Sequence, residues 1–255
     1  MATPIQVQGI SHLEFLFTHG FPENSPANKA WRKNLVQDMA RLFARTWKAP
    51  QAVGQAARER MAKRFEKELR ALLSALPERF HAVICGVLAA LPRILTLPMV
   101  LLHNDLSGFN IMVEEEECRL VGVIDWAAAA EIGPFGMNLH SAQDLMSKVH
   151  LEDGRIRYED YDDLERSFWE TLSDEVGGLS DGTIKAIKAA RVLGLLRSCG
   201  FTSQLANMPD RMPIRDDDGG RSNIMILDGL LVNPATRFEE LNEWLDKEWR
   251  GKGPG

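Results

Sequence analysis

The chain has 255 residues, 45% of them hydrophobic and 26% charged, a composition typical of a globular protein with enough apolar material for a core. Its formal net charge of −6 provides no basic surface, so we expect neither nucleic acid nor an anionic membrane as a partner. The sequence shows no signal-peptide pattern, no apolar run long enough to span a membrane, and three scattered cysteines. These features favour a reduced, cytoplasmic protein.

The N-terminal part of the chain predicts an extended segment followed by amphipathic helices. "IQVQ" and "LEFLF" offer two short extended pieces, and a turn-rich stretch follows them. Beyond that stretch, apolar residues recur every three or four positions, the pattern of helices with one buried face. The helices are predicted over residues 28–49, about 50–76 and about 77–91. We expect an N-terminal segment over 1–27, a helical domain over 28–250 and a flexible tail over 251–255.

A small cluster of strands interrupts the helices in the middle of the chain. "MVLL" predicts one strand, and "NIMVEEEE" with "CRLVGVIDW" predicts a hairpin joined by an acidic turn. After "GPFG" we expect a return to helices near 138–149, 161–176, 180–200 and 234–249, with an irregular loop at 215–223. The predicted fold class is therefore mostly α (α+β), with a small central β-hairpin.

Two short stretches, "HNDLSGFN" (103–110) and "IDW" (124–126), hold most of the unusual polar residues. Asn, Asp, Ser and Gly favour turns, so a plain turn between two strands is one interpretation. The alternative is a catalytic loop, because a carboxylate and an amide oxygen facing a second Asp are ligands that suit Mg²⁺. A further carboxylate on such a loop can orient or deprotonate a hydroxyl. The spacing His-x-Asp-x-x-x-x-Asn, with an Asp on the next hairpin, is typical of phosphoryl transfer in kinase-like folds.

The stretch "VLLHNDLSGFNIMV…LVGVIDWA" resembles the catalytic loop and metal-binding Asp of the aminoglycoside phosphotransferase/choline kinase family, especially its fungal members. "LVQDMARLFARTW" and "GPFGMNL" resemble other segments of those sequences, so that the likeness covers residues 11–250. The resemblance implies a protein-kinase-like C-terminal lobe that acts on a small molecule. It also implies that Asp105 is the catalytic Asp, that Asn110 and Asp125 are metal ligands, and that His103 supports catalysis by bracing the loop.

The chain departs from the family pattern at two places near the catalytic loop. Asn104 replaces the Gly that is usual in this family, and alanines occupy 127–130, where many relatives carry an acidic residue. Asn104 and Trp126 flank the motif residues and are our candidates for the substrate cleft. The likeness to fungal members favours a role in secondary metabolism.

The sequence does not show the pattern of the nucleotide-binding lobe of a kinase. Such a lobe needs a Gly-rich turn and a strand Lys to hold the phosphates, and phosphoryl transfer depends on that positioning and charge stabilisation. Upstream of the catalytic loop the glycines stand alone, and the lysines lie in or beside helical patterns (Gly9, Gly20, Gly54 and Gly86; Lys29, Lys33, Lys48, Lys63 and Lys67). We therefore expect a one-lobed relative for which Mg²⁺ is a possible cofactor and ATP a doubtful one.

Three functional hypotheses remain open at this point. The helical lobe is repurposed for an ATP-independent cyclisation, isomerisation, elimination or addition on a metabolite. Alternatively, it is a Mg-ATP-dependent small-molecule phosphotransferase whose nucleotide lobe is atypical or supplied by a partner. In the third hypothesis it is a non-catalytic binding module. The sequence predicts neither the substrate nor the oligomeric state.

Overall fold

The computed structural model describes residues 9–126, 130–150, 152–202, 211–217 and 219–245. Within these residues helices dominate and three small antiparallel sheets lie among them, which confirms the mostly helical α+β prediction. The helices are α1 (His12–His19), α2 (Pro26–Lys48), α3 (Gln55–Ala75), α4 (His81–Ile94), α5 (Tyr161–Glu175), α6 (Asp181–Cys199) and α7 (Arg221–Leu227). The strands are β1 (Ile10–Ser11), β2 (Met99–His103), β3 (Ile111–Val113), β4 (Leu120–Val123), β5 (Ala130–Pro134), β6 (Ser147–His150) and β7 (Gly154–Arg157).

The long helices follow the predicted amphipathic pattern. The Ser25 hydroxyl caps α2 by accepting the backbone N–H of Asn28 at 3.1 Å, and Pro26 occupies the first turn, where its missing N–H has no cost. α2 packs against α5 through an edge-to-face contact of Phe43 with Phe168. The predicted helices at 28–49, 161–176 and 180–200 are confirmed, and those near 50–76 and 77–91 begin a few residues later than predicted.

The prediction of an extended piece at "LEFLF" is wrong, because these residues form helix α1. The Ser11 hydroxyl accepts the backbone N–H of Glu14 at 3.2 Å, and Ser-x-x-Glu is the spacing of a capping box. That helix-start signal outweighs the strand propensity of the aromatic residues. The predicted "IQVQ" piece lies outside the described residues.

The region between the central strands and α5 differs from the prediction of a helix at 138–149. A 3₁₀ helix spans Leu139–Leu145, and the chain then forms the antiparallel hairpin β6–β7. Gly154 begins β7 with φ of +73°, a conformation that favours glycine and allows the tight turn. Buried Arg155 donates to the Ser147 hydroxyl at 2.6 Å and ties the two strands together.

The C-terminal part also departs from its predicted elements. α7 begins inside the predicted loop 215–223 and continues into a short π-helical stretch, Asp228–Val232. In place of one helix over 234–249, a turn leads to the 3₁₀ helix Glu239–Leu241 and a helix that continues to the end of the described residues. Residues 246–249 and the predicted tail 251–255 lie outside them. No helix in the described ranges is long and apolar enough to cross a membrane.

The central hairpin β3–β4 is confirmed, and contacts with α2 hold it in place. Asp38 of α2 accepts the backbone N–H of Leu120 at 3.1 Å and an N–H of Arg119 at 2.8 Å. The Glu114 carboxylate accepts the backbone N–H groups of Glu116 and Glu117, which closes the acidic turn. The hairpin is thereby fixed against the helical core at the end that is remote from the candidate site.

Strand β5 was not predicted, because "AEIGP" contains Gly and Pro and resembles a loop. It pairs antiparallel with β2, from Met99 opposite Pro134 to His103 opposite Ala130. This pairing fixes the end of β2, where the polar loop begins.

Candidate active site

The loop that follows β2 is held by backbone hydrogen bonds at its far end. The Leu13 N–H of α1 donates to the carbonyl of Gly108 at 3.0 Å. The Asn110 N–H donates to the Ser107 carbonyl at 2.9 Å and closes a turn just before β3. The loop therefore has a fixed conformation set by α1, β2 and the hairpin.

Asp105 and Asn110 are in direct contact within this loop. The Asn110 amide donates to the Asp105 backbone carbonyl at 2.7 Å and to the Asp105 carboxylate at 3.2 Å. Asn110 is buried, whereas Asp105 is exposed. The amide thus orients the carboxylate from behind and leaves its other oxygen open toward the solvent side.

Asp125 lies next to Asn110 across the hairpin. The Ile124 N–H donates to the Asn110 carbonyl at 3.0 Å, and Asp125 follows directly with an exposed side chain. Its φ of +60° is unusual for a residue other than glycine, and such strain is concentrated at functional sites. No described residue forms an ion pair with its carboxylate. The structure therefore brings the two predicted metal ligands together.

The donor atoms of these two side chains are of the type that suits a hard divalent cation. The Asn110 amide nitrogen is already used toward Asp105, which leaves the amide oxygen as the donor atom. Together with the Asp125 carboxylate it offers oxygen ligands, the type that Mg²⁺ prefers while keeping several waters. Among the described residues no cluster of three or more His, Cys, Asp or Glu side chains is arranged to hold a metal.

His103, predicted to support catalysis, lies on the buried side of the loop. Its imidazole Nε2 donates to the Ile124 carbonyl at 2.8 Å, and the side chain is 3% exposed. The Asn138 amide donates to the His103 carbonyl from below. Because Ile124 precedes Asp125, this placement supports a bracing role for His103, which joins the loop to the hairpin end.

Trp126 and Asn104, the two cleft candidates, line different cavities. Trp126 packs edge-to-face on His103 and borders a small, mostly apolar cavity with Phe43 and Phe135. That cavity does not include Asp105. Asn104 lines the same cavity as Asp105, so the structure places only Asn104 beside the candidate catalytic group.

The cavity beside Asp105 has a volume of about 420 Å³, which is in the range of small-molecule sites. Polar residues from several elements contribute to its walls, including Ser147, Tyr158 and Ser198. Asn104 and His140 also line a second, neighbouring cavity. The exposed carboxylate therefore lies in a cavity large enough for a small metabolite.

Two residues that lie near the site are not part of the sequence motif. Asn138 fixes the His103 carbonyl, and Glu131 accepts the Asn104 amide at 3.4 Å. Asn138 lies in "GPFGMNL", a stretch that resembles the family, so the resemblance could have marked this residue. Glu131 lies in the unpredicted strand β5, and no local pattern marked it.

A glycine of α6 allows the segment that carries Asn138 to approach closely. A methyl group at Gly194 would collide with the Met137 carbonyl oxygen. We expect Gly194→Ala to lower the free energy of unfolding by about 1–3 kcal/mol, as overpacking in a core does. Urea denaturation measures this effect. Gly182→Ala, in the first turn of the same helix and in open surroundings, is the matched control and is expected to cause no loss. Equal effects of the two substitutions would contradict the close approach.

The comparisons with known proteins identify the family of the chain. A family model described as "Phosphotransferase enzyme family" matches residues 3–163, well over half of the chain. No curated protein matches the chain. Among solved structures, the chain is similar to a macrolide 2'-phosphotransferase type I and to an aminoglycoside-3'-phosphotransferase of type VIII. The first is 13% identical with a TM-score of 0.41 over 69% of this chain, and the second 17% identical with a TM-score of 0.43 over 74%.

The matches cover only part of those two proteins. The chain spans 53% of the length of the macrolide enzyme and 65% of the length of the aminoglycoside enzyme. The matched range of this chain includes the polar loop, the hairpin and Asp125. The chain belongs to the phosphotransferase enzyme family.

Proposed function

We propose that the chain acts on a small molecule, with Asp105 accepting the proton of a substrate hydroxyl during phosphoryl transfer. The observation that carries this proposal is the exposed Asp105 carboxylate, which Asn110 orients at the mouth of a 420 Å³ cavity. A general base must lie within hydrogen-bond reach of the proton that it removes, and an exposed, oriented carboxylate meets that requirement.

Asn110 and Asp125 are the residues that would hold Mg²⁺ in this reaction. When bound, the metal would neutralise charge on the oxygens of the phosphoryl donor. The contribution of this chain is to keep the two oxygen ligands next to the base. The Ile124–Asn110 and His103–Ile124 hydrogen bonds do so by joining the loop to the end of the hairpin.

A second candidate is an ATP-independent cyclisation, isomerisation, elimination or addition that uses the same base. The five lysines upstream of the loop all lie on α2 and α3, so none of them occupies a strand. Gly20 closes α1, Gly54 caps α3, and Gly86 lies inside α4. These residues therefore do not form a phosphate clamp, which is the observation in favour of this candidate.

Titration of the 255-residue chain with Mg-ATP tests the role of the nucleotide. We expect no saturable binding in the micromolar range by calorimetry, because among the described residues that precede the polar loop there is neither a Gly-rich turn nor a strand lysine. Micromolar affinity would show that other residues bind the nucleotide and would contradict this prediction.

Turnover assays separate the candidate functions. The chain is incubated with hydroxyl-bearing metabolites, with and without Mg-ATP at millimolar concentration, and products are followed by phosphorus NMR and mass spectrometry. A phosphorylated product that requires ATP supports the phosphotransferase proposal. Conversion without ATP supports the second candidate, and binding without conversion contradicts both in favour of a binding module.

We also propose a cytoplasmic site of action, in secondary metabolism. The three cysteines are free in the structure, which is in keeping with a reducing compartment. Burial raises the pKa of Cys118 to about 12 and that of Cys199 to about 11, so neither thiol is activated for nucleophilic chemistry.

A further inference from the structure

Four basic side chains line a cavity that also borders Asn104, the residue before Asp105. Arg64 and Lys67 lie on α3, Arg197 lies near the end of α6, and Arg211 follows on the later chain. They surround a cavity of about 570 Å³. We refer to these four residues as the cationic cluster.

The carboxylates of this cavity do not balance the cationic cluster. Glu68 and Glu131 are the acidic residues among its described walls. Arg197 forms ion pairs with both, at 2.7 Å from Glu68 and 3.4 Å from Glu131, and Arg64 also forms an ion pair with Glu131. Four positive and two negative side chains leave a local excess of positive charge, although the whole chain has a net charge of −6.

Lys67 and Arg211 are the two cations of the cluster for which no described carboxylate is a salt-bridge partner. The Arg211 Nε donates to the Thr202 carbonyl at 3.2 Å, which orients the guanidinium and leaves its terminal N–H groups for another acceptor. Partial burial and repulsion by Arg197 lower the pKa of Arg211. A bound anion would relieve that repulsion and accept the remaining N–H groups.

The cationic cluster is connected to the candidate base. Asn104 immediately precedes Asp105 and lines both the 420 Å³ cavity and the cavity of the cluster. A third cavity shares Asn104, Arg197 and Arg211 with the cavity of the cluster. The cationic cluster and the Asp105 carboxylate therefore border two cavities that have Asn104 in common.

We propose that the cationic cluster binds an anionic group (a carboxylate, phosphate or sulfate) on the substrate whose hydroxyl meets Asp105. The assignment of this anion to the substrate rests on the proposed function, whereas anion binding itself does not. A planar guanidinium fork is suited to carboxylate and phosphate oxygens, and the local charge would repel a polycationic substrate.

Calorimetric titration with inorganic phosphate at low ionic strength tests the site. We expect saturable binding that Lys67→Gln and Arg211→Gln each weaken about tenfold, since each removes a charged contact to the anion. Arg70→Gln is the matched control, because Arg70 lies on α3, pairs with Glu66 and is not part of the cavity. It is expected to change affinity less than about twofold. No saturable binding, or an equal loss in Arg70→Gln, would overturn the proposal.

Two further titrations separate the site from the rest of the proposed function. Asp105→Asn is expected to retain phosphate binding, so a failure of Asp105 in turnover assays leaves the anion site standing. Mg-ATP is then titrated up to millimolar concentration, where weak binding is measurable, into wild type and Arg211→Gln. If Arg211→Gln weakens Mg-ATP as much as inorganic phosphate, the cluster serves the phosphoryl donor, and the assignment to the substrate is overturned. An effect on inorganic phosphate alone supports that assignment.

Discussion

Asp105→Asn is expected to lower the rate of whatever reaction the chain catalyses by about 10²- to 10⁴-fold, the usual effect of losing a general base. The substitution keeps the shape of the side chain and its ability to accept from the Asn110 amide, but it removes the group that takes up a proton. Because Asp105 is exposed, we expect the thermal unfolding midpoint to stay within about 2 °C of wild type, as for most surface substitutions.

Asp163→Asn is the matched control for this prediction. Asp163 is an exposed aspartate of α5 that pairs with Arg166 and lies away from the site cavities. It is expected to leave the turnover rate unchanged. If Asp105→Asn instead unfolds the protein while the activity per folded molecule stays constant, the loop is architectural and the catalytic proposal is wrong.

Arg191→Gln is expected to lower the free energy of unfolding by about 3–5 kcal/mol, the range found when one partner of a buried ion pair is removed. Arg191 is 2% exposed and donates to Glu165 and Glu240, each at 2.9 Å. Although burial opposes it, the attraction of these two carboxylates raises the pKa of Arg191. Glutamine would leave both carboxylates without their cation.

For a domain of this size such a loss corresponds to a decrease of about 6–20 °C in the unfolding midpoint. Differential scanning calorimetry measures it. Arg70→Gln, which removes an exposed pair with Glu66, serves again as the control and is expected to cost about 0–1 kcal/mol. Similar midpoints for the two variants would show that the Arg191 pairs contribute no more than a surface ion pair.

The elements that the sequence determined by itself are those encoded in local patterns. α2, α5 and α6 follow from apolar spacing, since one face of each helix must be buried whatever the partner is. The hairpin β3–β4 follows from two short apolar runs separated by a polar turn. The proximity of Asn110 to Asp125 follows in turn, because hairpin pairing places the start of one strand opposite the end of the other.

Other features were decided by contacts between residues that are distant in the sequence. β5 exists because the edge of β2 pairs with it, although its own residues favour a loop. Trp126 lies beside Asp125 in the chain but borders a different cavity from Asp105, because its indole packs against His103 and donates to the Val123 carbonyl at 2.9 Å.

The cationic cluster is the clearest case of a feature that no sequence pattern marked. It combines Arg64 and Lys67 of α3 with Arg197 and Arg211, which follow more than a hundred positions later in the chain. The motif in the sequence therefore determined where the candidate chemistry lies, because its spacing follows from one loop and one hairpin. The charge and shape of the surrounding cavity were determined only by the tertiary structure, since packing brings together side chains whose order in the chain has no relation to their neighbours in space.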